Sequence, residues 1–191
     1  MTDVASGWTE MQAVRNKAQI HVFAAIQAIR ARLPFTLLGI DSDNGAEFIN
    51  EQLWHYCDTE TLTFTRGRSG RKNDNAYVEQ KNWSVVRRLV GYGRYDSSAQ
   101  VKLLNRLFVT YRLYVNYFLP IVKLQSKVRE GGRTRKIYDK PQTPCQRLLD
   151  SATLTAAQKQ SLTTHYLQLD VVPLKQTIAQ LIKGLKASTL R

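Results

Sequence analysis

The sequence contains few cysteines and no long apolar run. Its two cysteines, Cys57 and Cys145, are too few and too far apart for a disulfide framework or a Cys-x-x-Cys zinc site. We therefore expect two buried thiols in a reducing compartment. No apolar run approaches the roughly 20 residues that span a bilayer, and the N-terminus lacks the charged-then-apolar pattern of a signal peptide. A cytoplasmic protein with no membrane partner is the expectation.

Acidic residues are also scarce. The sequence has 15 Asp and Glu but 28 Lys and Arg, which gives a net charge of +13. Residues 66–140 hold 18 basic and 5 acidic residues, and the rest of the chain is balanced. A basic run can simply form a solvent-exposed surface without any partner. An excess of positive charge that is confined to one stretch favours a polyanionic partner. The length of 191 residues and the hydrophobic content of 43% are those of one globular domain with an appendage.

Hydrophobic periodicity predicts short strands that alternate with helices. Strands are predicted at 36–40 and 61–65, with the end of another at 8–14. Helices are predicted from 16 or 17 to 33, at 48–56, from 74 or 75 to about 89, and at 98–119, 144–149, 156–169 and 173–186. The stretch 66–74 is predicted to be a flexible cationic loop, and 123–140 a basic loop or hairpin around Gly131-Gly132.

Two carboxylates have positions that suit metal chemistry. Asp43 follows the predicted strand 36–40, and Glu79 lies on the first turns of a predicted helix, with 35 residues between them. Carboxylates placed in this way can meet at one edge of a sheet and share hard divalent cations. With a third carboxylate they would hold two Mg²⁺ ions about 4 Å apart, as in phosphodiester chemistry.

Three segments carry a resemblance to a known family. They are 3–10 (DVASGWTE), 41–48 (DSDNGAEF) and 75–82 (NAYVEQKN). In this order, and with this Asp-to-Glu spacing, the chain resembles the catalytic core of DDE-type integrases and transposases, the superfamily of retroviral integrases and insertion-sequence transposases. The resemblance covers about residues 1–120, and Thr143-Pro144 is similar to a Thr-Pro segment that often closes such cores.

The resemblance implies an α/β fold, an RNase H-like mixed sheet with flanking helices. It divides the chain into a partial catalytic core, 1–120, and a basic loop with a mostly helical C-terminal extension, 121–191. The family's first strand, which lies between the second and the fourth, precedes the segment that Asp3 matches and is expected to be missing. Two exposed strand edges should result.

The resemblance also assigns roles to residues. Asp43 and Glu79 become the second and third ligands of a two-metal site for Mg²⁺ or Mn²⁺, and Asn82 lines that site. The family's first aspartate belongs to the missing strand, so the site is expected to be incomplete. Asp3 matches a position that binds no metal, and Asp41 is interpreted as a structural turn residue.

Basic residues supply the expected contacts with DNA phosphates. Three of them share the helix of Glu79, and three lie in the basic stretch around Gly131-Gly132: Lys81, Arg87, Arg88, Arg133, Arg135 and Lys136.

The resemblance implies DNA integration or transposition by a metal-dependent polynucleotidyl transferase that processes DNA 3′ ends and transfers strands, inactive as this chain. The alternative is a non-catalytic fragment that binds DNA or a transposase. An RNase H-like nuclease is disfavoured by the spacing of 35. The expected partners are element ends and target DNA, together with further copies of the chain or a full-length transposase. The expected location is the cytoplasm, in association with the nucleoid.

Overall fold

The structure is a computed structural model that describes residues 1–42, 51–67 and 82–189. Within these ranges the fold is mixed α/β, in which helices form most of the body and strands form two small two-stranded sheets. The predicted α/β class is therefore confirmed at this level. The RNase H-like arrangement stays a prediction, because a two-stranded sheet does not distinguish that fold from others.

The helices are distributed along the whole described chain. They are α1 (Gln19–Arg30), α2 (Glu51–Thr59), a π-helix (Asn82–Arg87) that runs directly into α3 (Arg88–Val90), α4 (Ser98–Tyr117), α5 (Pro144–Asp150), α6 (Ala156–Leu167) and α7 (Val171–Ala187). The predicted boundaries of α4, α5 and α6 are right to within two residues, whereas α1 is shorter than predicted at both ends. In the described ranges no helix has both the length and the apolar character needed to cross a bilayer.

The helices α4, α5 and α6 each begin with a capping box. In each, the N-cap hydroxyl accepts a hydrogen bond from the backbone N–H three residues later, and that residue's glutamine side chain bonds back to the N-cap backbone. These reciprocal bonds satisfy N–H groups that the first turn of a helix leaves unpaired. The pairs are Ser97 with Gln100, Thr143 with Gln146, and Thr155 with Gln158.

The first sheet consists of β1 (Gly39–Ser42) and β2 (Thr63–Arg66), which run parallel. Both strands begin two or three residues later than predicted. Gly39 stands opposite Thr63, and a Cβ at Gly39 would lie only 2.6 Å from the Thr63 carbonyl oxygen. Pairing therefore starts where a glycine allows the two backbones to approach closely.

The strand predicted to end within 8–14 does not form, and an isolated antiparallel bridge between Thr2 and Thr9 takes its place. Instead, asparagine side chains of α4 form hydrogen bonds with the main chain of this segment. Asn105 accepts from the Ala13 N–H over 2.7 Å and donates to the Ala13 carbonyl over 3.1 Å. A side-chain amide carries a donor and an acceptor, as a peptide group does. The asparagine side chain therefore forms the two hydrogen bonds that a neighbouring strand would otherwise form.

Helix α4 is central to the core. Its residues Leu104, Leu107 and Phe108 pack with Ile178 and Leu185 of α7. Elements on both sides of residue 120 therefore share one apolar cluster, which is stabilised by removal of this surface from water.

Two further clusters complete the core. Trp8 and Tyr117 contact each other edge to face, with ring centroids 5.4 Å apart, and pack with Leu148 and Leu162 of α5 and α6. The other cluster joins α1, α2 and β1 through Ile26, Leu53, Cys57 and Ile40. Cys57 and Cys145 are both buried and free, as predicted.

A buried carboxylate ties the N-terminal segment to two helices. Glu10 is fully buried and accepts hydrogen bonds from Trp8 Nε1 (3.1 Å), Arg112 of α4 (2.9 Å) and Arg32, which follows α1 (3.3 Å). Two guanidinium groups thus compensate one buried charge, which would otherwise be costly to remove from water.

Candidate nucleic-acid interface

The stretch 123–140 forms a β-hairpin, the second of the two predicted alternatives. Its strands, β3 (Leu124–Glu130) and β4 (Arg133–Tyr138), are antiparallel and exposed along their whole length. They are joined by Gly131-Gly132, and Gly131 has a φ of +61°, a left-handed conformation that glycine adopts without strain. The hairpin therefore displays nearly all of its side chains to solvent.

Successive strand residues point to opposite faces, so the register assigns each basic residue to one face. Lys127 is directly opposite Lys136, and Arg129 is opposite Thr134. These four residues define the basic face, which has three cations and no acid. Directly opposed side chains have Cβ atoms about 5 Å apart, and like charges at that distance are destabilising.

The other face is close to neutral. Arg133 is opposite Glu130, Arg135 is opposite Val128, and Ile137 is opposite Ser126. These six residues define the mixed face, in which an acidic residue stands across from one of the two arginines.

The register therefore separates residues that the sequence grouped together. Of the three predicted DNA contacts in the hairpin, Lys136 lies on the basic face, whereas Arg133 and Arg135 lie on the mixed face. Lys127 and Arg129, which were not among the predicted contacts, share the face of Lys136, and folding the sequence about Gly131-Gly132 already pairs Lys127 with Lys136.

An ion pair fixes the base of the hairpin to the body, and a β-bridge joins the two segments that flank the hairpin. Asp139 accepts from Arg147 of α5 and from the Lys123 backbone N–H, each over 2.6 Å. The pKa of Asp139 is lowered, first by the hydrogen bond from Arg147 and second by the hydrogen bond from the Lys123 N–H. Ile121 and Gln142 form the bridge, and Arg147 also donates to the Ile121 carbonyl over 3.0 Å.

The same base contacts the N-terminal turn. Lys123 Nζ donates to the carbonyl oxygens of Val4 and Ala5, and its pKa is lowered mainly by burial and further by the nearby Arg147. Within this turn the carboxylate of Asp3 accepts from the Ser6 N–H over 2.6 Å. Asp3 thus has a turn-forming role in the structure.

Other members of the basic stretch also lie at the surface. Arg87 and Arg88 are exposed, and the Arg87 guanidinium lies 5.0 Å from the centre of the Tyr92 ring. Arg94 is exposed and forms an ion pair of 2.8 Å with Asp96. Lys102 and Arg106 of α4, and Lys140 beyond the hairpin, are likewise exposed.

Two of the three predicted catalytic residues, Asp43 and Glu79, lie outside the described residues, as does Lys81, a predicted DNA contact. Asn82 is the first residue of the π-helix. Asp41 is a strand residue rather than the predicted turn residue, because it pairs with Thr65, whose hydroxyl donates to its carboxylate over 2.6 Å. In the part of the chain that the structure describes, no group of three or more His, Cys, Asp or Glu residues could hold a metal ion. The Mg²⁺ or Mn²⁺ site therefore stays a prediction that depends on Asp43 and Glu79.

The chain is similar in sequence to a bacterial protein of uncharacterized role. No family model matches the sequence. The chain is 46% identical over 147 residues to the uncharacterized protein y4rM of Sinorhizobium fredii, a match that covers 77% of this chain and 42% of that protein. The chain thus spans less than half the length of this curated relative.

Proposed function

We propose that the chain binds double-stranded DNA as part of an integrase-like polynucleotidyl transferase. The observation that carries the proposal is the placement of the positive charge. Most basic residues of 66–140 that the structure describes have exposed side chains, on the π-helix, α3, α4 and the hairpin. Such a surface suits the phosphate backbone, which provides most of the sequence-independent affinity of DNA-binding proteins.

The integrase-like part of the proposal is supported by the order of motifs and by β1. This strand is parallel to β2 and ends at Ser42, the residue before Asp43 in the sequence. Functional groups in sheets with parallel strands commonly lie beyond the carboxyl ends of those strands. Asp43 and Glu79 are the residues proposed to bind metal, and Asn82 is proposed to line the same site.

The binding test measures how the affinity of the 191-residue chain for a labelled DNA duplex of about 30 base pairs depends on salt, by fluorescence anisotropy. If four or more phosphates are neutralised, affinity should fall roughly a hundredfold between 50 and 200 mM salt. A matched pair of variants localises the effect. Arg87→Gln with Arg88→Gln should reduce the salt dependence, whereas Lys175→Gln with Lys183→Gln, two exposed lysines of α7, should not. Salt-independent binding, or none at low salt, would contradict the proposal.

A non-catalytic DNA-binding fragment is the second candidate, because sequence-independent binding to DNA requires an exposed basic surface but no metal site. The two candidates are separated by a strand-transfer assay with Mg²⁺ or Mn²⁺ on the chain extended at its N-terminus by a strand that carries an aspartate, because the resemblance places the first metal ligand upstream of Asp3. Metal-dependent joining that is lost in Asp43→Asn and Glu79→Gln, but retained in Asp58→Asn on the exposed surface of α2, would favour the enzyme. DNA binding without joining would favour the fragment.

A further inference from the structure

We infer that the basic face of the hairpin enters the major groove of duplex DNA, an inference that rests on the proposed function and names the contacting element. The first observation is the directly opposed pair Lys127 and Lys136. Both side chains are exposed, and no acidic residue shares their face. A polyanion between the two ammonium groups would remove the repulsion that the hairpin alone carries.

The second observation is the asymmetry of the hairpin. The mixed face sets Glu130 opposite Arg133, while the basic face has Arg129 next to the lysine pair. The net charge is therefore +3 on the basic face and +1 on the mixed face, so a polyanion is attracted more strongly to the basic face. The distribution therefore assigns a binding role to one face rather than to the whole ribbon.

The third observation is the shape and support of the hairpin. Its longer strand has seven residues, which corresponds to about 24 Å. The β3 and β4 strands contact chiefly one another, while Asp139 and Arg147 hold the base against α5. The ribbon is therefore free along its length and fixed at one end.

These dimensions distinguish between nucleic acids. The major groove of B-form DNA, about 12 Å wide, admits a two-stranded β-ribbon, whereas the major groove of A-form RNA is too deep and narrow. On the basic face Lys127, Arg129 and Lys136 can donate to phosphates or to guanine acceptors, and the Thr134 hydroxyl can contact either a base or a phosphate. Duplex DNA is therefore the partner that fits the basic face.

The test compares two double variants, each of which removes two positive charges from the same hairpin. Lys127→Gln with Lys136→Gln changes the basic face, and Arg133→Gln with Arg135→Gln changes the mixed face. For the basic-face variant we expect affinity for duplex DNA to fall about tenfold or more, and the slope of log affinity against log salt to decrease by about 1.8, as for two lost phosphate contacts. The mixed-face variant should keep most of the wild-type affinity and slope.

The same titrations are made with a duplex RNA of equal length and with a DNA duplex in which 7-deazaguanine replaces guanine, which removes a major-groove acceptor. Weaker binding of wild-type protein to both ligands supports insertion into the major groove. Equal losses in the two double variants, or equal affinity for RNA and DNA, would overturn the inference while leaving the proposed function intact. If the wild-type chain binds no duplex at any salt concentration, the proposed function itself fails.

Discussion

Asn116 of α4 forms hydrogen bonds with both main-chain groups of Thr9, although the two residues are 107 positions apart in the sequence. The Thr9 N–H donates to Asn116 Oδ1 over 2.8 Å, and Asn116 Nδ2 donates to the Thr9 carbonyl over 2.9 Å. Both residues are buried, and Asn116 is 0% exposed. The helix therefore fixes the N-terminal segment next to Glu10 and the turn that Lys123 contacts.

Replacing Asn116 with alanine should destabilise the fold. The change leaves a buried N–H and a buried carbonyl unsatisfied, at a cost of roughly 1–3 kcal/mol for each group. Urea unfolding followed by circular dichroism measures the loss. Asn105→Ala, at the partly buried bond to Ala13, should have a smaller effect, and Asn16→Ala, an exposed site, almost none. A loss at Asn116 no larger than that at Asn16 would contradict the role of this bond.

Replacing Glu10 with glutamine should also be strongly destabilising, by about 3–5 kcal/mol, because Arg32 and Arg112 lose the buried charge that compensates them. The control is Glu60→Gln, which breaks the more exposed ion pair with Arg30 and should cost at most about 1 kcal/mol. Equal free energies of unfolding for the two variants would show that the buried carboxylate has no special role.

Asp139 should make stability depend on pH. Because its pKa in the folded protein is lowered below the usual 3.8, its stabilising effect is present above that value and is lost as pH falls through the lower, folded-state pKa. Asp139→Asn should therefore reduce stability at pH 7, and the difference from wild type should shrink on acidification below 3.8. Unfolding titrations at several pH values measure this trend, with the exposed hairpin substitution Glu130→Gln as control. A difference that grows on acidification would refute the assignment.

The two thiols should be unreactive in the folded protein. Cys145 is 3% exposed and burial raises its pKa to about 11, while burial also raises the pKa of Cys57. The thiolate is the nucleophile, so labelling at pH 8 should be slow in native protein and fast for both cysteines in urea. Cys57→Ser should remove one of the two labelled groups. Rapid labelling of native protein would show that a thiol is accessible.

Gly131 should be more sensitive to substitution than its neighbour. A Cβ at Gly131 or Gly132 meets no atom within 4 Å, but only Gly131 has a positive φ. Gly131→Val should therefore strain the turn by roughly 1–3 kcal/mol, and Gly132→Val should not. Amide hydrogen exchange in β3 and β4 reports the opening of the hairpin. Equal exchange rates in the two variants would contradict this explanation.

Much of the local structure could be predicted from the sequence. The apolar stripe of α4 and the Ser97 cap are signals within a few residues of each other, as are Thr143 and Pro144 at the start of α5. The prediction that a strand ends within 8–14 was wrong, because the main chain of this segment is bonded by Asn105 and Asn116, which lie about 100 residues away. The DNA contacts named from the sequence stay predictions, and the register adds that Lys136 lies on the opposite face from Arg133 and Arg135.

The sequence by itself determined where α4, α5 and α6 begin, that the charge excess lies within 66–140, and that Gly131-Gly132 allows a turn, since each depends on residues close together in the chain. Only the tertiary structure decided which cations share a face. A strand has a period of two, so the face of Lys127 depends on the register with Lys136, and the burial of Glu10 depends on Arg32 and Arg112 reaching it from separate parts of the fold. Register and burial are set by packing between distant segments, and no local pattern specifies them.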